Sequence, residues 1–132
     1  MSQQRREELY SLLGGLPERD RPIHAEVISR TETDHYSLET LLLDLNGIEM
    51  VPAYFTRPLQ ASGPTPVVIY NHAHGGDYPT GKDEYLFHRS SLQNPPYAEA
   101  LSVAGLSGIC IDTWNFGQRR GRTESELFKQ ML

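Results

Sequence analysis

The chain has 132 residues, a length that sets one domain and lets about two thirds of the unfolded surface become buried. A formal net charge of -5 argues against nucleic acid as a partner, which would need a concentrated basic face, and the single cysteine excludes an internal disulfide. Met1 to Glu8 is polar and charged with no apolar stretch behind it. It reads as neither a signal peptide nor a membrane span, and the expected location is the cytoplasm.

Residues 1–22 read as an N-terminal helix and linker. Gln3 to Leu13 carries a narrow apolar stripe of Leu9, Leu12 and Leu13, with Ser2 as a candidate cap and Gly14-Gly15 before Pro17 as the stop. From His24 the pattern changes to strands. Ala25 and Val27 alternate with polar residues, and a second run sets Tyr36, Leu38, Thr40, Leu42 and Asp44 on one face with Leu41, Leu43 and Leu45 on the other. Asn46-Gly47 is a strong hairpin signal. Ile48 to Phe55 returns as a third strand, in which Pro52 argues for a sheet edge or a bulge. These three runs form an antiparallel meander.

A Pro/Gly/Ser loop over 57–66 leads to Val67-Val68-Ile69-Tyr70, a run that suits a strand buried on both faces. His72 to Asn94 is a long polar loop, in which Lys82 and Glu84 read as solvated. Loops of this length are functional or disordered. Asn94-Pro95-Pro96 reads as a helix start with Asn94 as the cap, Tyr97, Leu101 and Ala104 as its apolar stripe, and Gly105 as its stop. Gly108 to Ile111 is the next strand, with Cys110 buried and inert within it. Thr123 and Glu126 have the spacing of a capping box opening a last helix. The fold class is therefore α/β: a mixed sheet, an antiparallel meander followed by a parallel βαβ unit, flanked by helices.

The chemistry concentrates where strands end, which is where open α/β sheets place ligands. His72-Ala73-His74-Gly75-Gly76 follows a strand directly; its glycines let backbone approach a ligand, and its amides suit a developing negative oxygen. A competing reading makes His72 and His74, with Asp77 and His88, ligands of a metal-dependent hydrolase. Asp112 ends a strand and reads as a group that binds the local backbone. Tyr78, Trp114 and Phe116 are aromatic residues in loops at the same edge, and they line a substrate pocket or seal the core. Gly105-Leu106-Ser107-Gly108 is not a nucleophile elbow, because Ile109 stands where a glycine is needed and the serine precedes a strand.

From about residue 24 the chain resembles the α/β-hydrolase superfamily, in particular its dienelactone-hydrolase-like and acetyl-xylan-esterase-like members. The meander is similar to the opening of that fold. Val67 to Gly76 is similar to its third strand and oxyanion loop, usually His-Gly-x-Gly-Gly, with Ala73 in place of the first glycine. Asp112-Thr113-Trp114-Asn115-Phe116-Gly117 is similar to its Asp-x-Arg-Gly-x-Gly turn, with Trp114 for Arg and Asn115 for Gly. The resemblance implies an N-terminal portion, residues 1–132, of a serine hydrolase acting on an ester or related acyl bond, an incomplete α/β-hydrolase fold. His74 and Gly75 would be oxyanion-hole donors, Tyr78, Trp114 and Phe116 would meet substrate, and no metal or organic cofactor is implied. The triad of that family comes later than the fourth strand, so no catalytic Ser, Asp or His is assigned here and the chain alone is expected to be inactive. A sheet edge left bare would allow a homo-oligomer. A non-catalytic binding or structural remnant is the remaining alternative.

Overall fold

A computed structural model describes residues 3–12, 20–45, 47–121, 125–126 and 129. It contains α1 (Gln3–Leu12), β1 (His24–Glu32), β2 (Tyr36–Asp44), β3 (Met50–Pro58), β4 (Val67–Tyr70), a 3-10 helix at Gly81–Tyr85, α2 (Tyr97–Val103), β5 (Ser107–Ile111) and a second 3-10 helix at Gly117–Arg119. The strands form one mixed five-stranded sheet in the order β1-β2-β3-β5-β4. The pairs β1–β2, β2–β3 and β3–β5 are antiparallel, and only β4–β5 is parallel, so the domain is α/β with a meander joined to a crossover unit. No helix among the described residues is long and apolar enough to cross a membrane.

The meander follows from the alternation of its residues. Tyr36 and Leu38 of β2 face the core with Tyr54, Tyr70, Tyr85, Ala98, Leu101 and Cys110, while Leu41 and Leu43 pack on the other face with Val51, Ala53, Phe55, Ile109 and Ile111. The first face is covered by α2 and the 81–85 helix. Of the expected stripe of α2, Tyr97 and Leu101 pack on the core but Ala104 is exposed, and Ala98 and Ser102 are the residues fully buried beside them. Its stop is a Schellman arrangement, with Gly105 at φ 77°, its amide on the Ser102 carbonyl and the Leu106 amide on the Leu101 carbonyl.

Asn94 does not cap α2; the Asn94–Pro95 peptide is cis and the helix begins after Pro96, without a side-chain cap. The alternation in β1 marks no buried face, since all nine residues are exposed on a strand that, among the described residues, pairs on one side only. Leu9 and Leu12 of the expected α1 stripe are likewise open, at 47% and 83% exposure, with no buried residue in Gln3–Leu12, and Leu13 lies outside the described residues. β4 is not buried on both faces: it is the edge of the described sheet, and Val67 and Ile69 are 53% and 74% exposed. Ser2, Gly14-Gly15, Asn46 and Thr123 lie outside the described residues, although Ser125, Glu126 and Lys129 are helical.

Pro52 sits at no edge, because β3 lies between β2 and β5. A residue in a strand points its N–H and C=O to the same side. The Pro52 carbonyl accepts the Asp112 amide at 2.9 Å, so the missing N–H faces β5, one residue beyond the last paired residues, Ala53 and Ile111. The Asp112 carbonyl that such an N–H would serve instead accepts Arg119 Nη1 at 2.9 Å. A guanidinium replaces the absent peptide donor, which is how proline is tolerated here.

Candidate functional site

The C-terminal ends of the two parallel strands meet at one rim. β4 runs out through Asn71 into His72, and β5 runs out into Asp112 and Thr113. The His72 ring joins them: its Nε2 accepts both the Thr113 amide (3.2 Å) and the Thr113 hydroxyl (2.9 Å). A backbone amide only donates, so Nε2 carries no proton in this arrangement. His72 is buried and acts as a fastener between the two loops rather than as an open ligand. A second tie is the Gly117 amide, which donates to the Tyr78 carbonyl at 2.9 Å.

The carboxylate of Asp112 is wholly buried and organises its own turn. Oδ1 accepts the Lys82 amide (2.7 Å), and Oδ2 accepts Lys82 Nζ (2.9 Å) and the Gln118 amide (3.0 Å). This agrees with a backbone-binding role. Two glycines make room: a Cβ on Gly81 or Gly117 would fall 2.3 or 2.2 Å from Oδ1, and both residues have positive φ. Asn115, at φ 71°, takes the left-handed conformation expected of the residue standing in for a glycine.

Lys82 and Glu84 are not solvated; they are 3% and 1% exposed. The 81–85 helix is a polar plug whose side chains reach β3, β4 and the end of β5. Lys82 pairs with Asp112 and lies 4.8 Å from the Tyr54 ring centroid. Asp83 accepts the Tyr54 hydroxyl at 2.8 Å, and Tyr85 meets Thr56 Oγ1 at 2.5 Å. Tyr85 also fills the space above Gly108, where a Cβ would stand 2.0 Å from its hydroxyl. Burial pushes the Tyr85 hydroxyl up to about 12 and the Cys110 thiol up to about 12, which keeps the thiol protonated and inert.

Glu84 holds the loop after β4. Its Oε1 accepts the Tyr70 hydroxyl and the Ala73 amide, each at 2.7 Å, and its Oε2 accepts Arg89 Nη1 at 2.6 Å. Burial pulls this carboxyl upward, but the Ala73 amide, Tyr70 and Arg89 outweigh it and leave Glu84 below its ordinary value. Burial and the adjacent Glu84 raise Tyr70 well above the tyrosine range, so its hydroxyl is the donor.

His74 and Gly75 are exposed at the rim, and among the described residues neither amide has a hydrogen-bond acceptor. The left-handed backbone of this loop is carried by Gly75 and Gly76, at φ 45° and 74°. Tyr78 and Phe116 stack at 4.9 Å between centroids, and His74 meets both edge-on, at 5.1 and 5.4 Å. Phe116 is buried, whereas Trp114 stands out at 58% exposure. The structure thus gathers His74, Tyr78 and Phe116 and leaves Trp114 at the margin. His72, His74, Asp77 and His88 do not gather: among the described residues no three His, Cys, Asp or Glu side chains are placed to share a metal ion. An open cleft of about 370 Å³ lies at the opposite rim, among Asp34, His35, Pro58, Thr65 and Ser102.

The fold and this rim define a mixed-sheet α/β domain with a glycine loop at the end of its parallel strands. Over all 132 residues the chain is 46% identical to a Bacillus subtilis (strain 168) protein named "Putative hydrolase YtaP", and it spans 44% of the length of that protein. No family model matches the chain. No solved structure matches it.

Proposed function

We propose that these residues supply the oxyanion loop of a serine-dependent α/β hydrolase, of the dienelactone-hydrolase or acetyl-xylan-esterase kind, that acts on an ester or related acyl bond. The observation that carries this reading is the pair of amides at His74 and Gly75 that have no acceptor among the described residues, beyond a parallel strand and on the same rim as the Asp112 turn. Support comes also from the strand order, a meander followed by a crossover that sets β4 outside β5, and from the name of the similar protein. In this reading a serine outside the 132 residues attacks the carbonyl, a histidine carries its proton, and the two amides take the charge of the tetrahedral oxygen. Their value lies in the transition state, where one such donor contributes about a hundredfold or more in rate. Tyr78 and Phe116 form the adjoining wall, with Trp114 beside it.

The test uses p-nitrophenyl acetate and a fluorophosphonate probe. The 132-residue chain holds no Gly-x-Ser-x-Gly and is expected to show neither turnover nor labelling. The chain grafted in place of the matched region of the Bacillus subtilis relative is expected to restore both. Turnover with single-serine labelling by the chain alone, or a dead graft beside an active relative, overturns the reading.

A further inference from the structure

Resting on that reading, we propose that Glu84 and Arg89 are positioning residues that hold the 73–77 loop in the shape that leaves the His74 and Gly75 amides free for substrate. The bonds form a closed circuit. Glu84 Oε1 fixes the loop where it leaves β4, through the Ala73 amide, and its Oε2 receives Arg89 Nη1. The other arm of the guanidinium, Nη2, reaches Asp77 Oδ2 at 3.3 Å. Asp77 closes the loop by donating its amide to the His74 carbonyl at 3.1 Å, and Thr80 Oγ1 steadies its carboxylate at 2.6 Å. One carboxylate and one guanidinium thus grip both ends of a five-residue loop that contains two left-handed glycines.

The circuit explains why a charged pair is placed here. Gly75 and Gly76 lower the cost of the loop shape but leave it many alternatives. A buried carboxylate bonded at 2.6 to 2.7 Å on three sides selects one of them. The Ala73 amide is consumed in the process, so the donors left over are the next two along the chain. Neither Glu84 nor Arg89 needs to touch the substrate; both act through the backbone between them.

The test is residue-resolved amide hydrogen exchange on the folded chain, comparing Glu84→Leu and Arg89→Met with the parent. The Ala73 and Asp77 amides are expected to lose about tenfold or more of their protection beyond any loss shared by the amides of β2 and β3. Glu84→Gln, which keeps an acceptor for Ala73, is expected to return most of the Ala73 protection but not that of Asp77. Unchanged exchange in the loop overturns the proposal, as does an equal loss of protection throughout the sheet. Should Glu84→Leu fail to fold, Arg89→Met decides alone, since Arg89 is a quarter exposed and reaches the circuit from outside. In the graft, the same substitutions are expected to lower kcat about tenfold with KM unchanged. Local release of the loop with kcat unchanged keeps the circuit and removes the oxyanion reading, so the two fail separately.

Discussion

Asp112 and Lys82 show how much of the interior of this protein is polar. Their ion pair is 0% and 3% exposed and is completed by two backbone amides and Gln118. A pair of this kind is costly to break from one side, because the surviving charge stays buried. Asp112→Asn is therefore expected to lower the free energy of unfolding by about 3–5 kcal/mol. Adding Lys82→Met should recover much of the loss, and urea denaturation of the single and double variants checks both. A single-variant loss under about 1 kcal/mol would mean that water reaches the ammonium.

The 81–85 helix is the element least legible in the sequence. Gly81-Lys82-Asp83-Glu84-Tyr85 has the composition of a surface turn, and apolar periodicity is silent about charges that go inside. Apart from Arg89, five residues from Glu84, the partners of these side chains stand 11 to 36 residues away, at Ala73, Tyr70, Tyr54, Thr56, Asp112 and Gln118, and no local pattern links them. The meander, the Gly105 stop and the β4-to-β5 crossover were legible because alternation, a left-handed glycine and β-branched runs act locally. The edge position of β4 was not, since a run of Val and Ile looks alike whether one or two neighbours pair with it. At the rim, the glycine loop and the Asp112 turn were readable as motifs, but the plug that fixes them was not. The plug also makes stability depend on acid. Glu84 lies below its ordinary value of 4.5 in the folded protein, so its contribution is full above that value. It is lost as the pH falls through the lowered folded value. Glu84→Gln is expected to reduce stability at neutral pH and to flatten the acid limb of the stability curve below about pH 4.5. A parallel offset at every pH would assign the acid limb to other carboxylates.

At the scale of the whole molecule, β4 presents an unpaired edge among the described residues, with Val67 and Ile69 open beside it. Such an edge is a template for another strand. We propose that two copies of the chain associate through it. Sedimentation is expected to show a concentration-dependent dimer, which Ile69→Lys weakens about tenfold or more by setting like charges across the junction. A monomer at all concentrations would remove the proposal. Within the sheet, the guanidinium that stands in for the N–H of Pro52 has a further consequence. Arg119→Met alone strands a carbonyl, and Pro52→Val alone supplies a second donor where one already serves, but Pro52→Val made first leaves Arg119 only its ion pair with Glu49 to lose. Substitutions at these two positions are thus expected to be tolerated in one order and penalised in the other, a dependence on history that a thermodynamic cycle over the four variants would reveal as a coupling of about 1 kcal/mol or more.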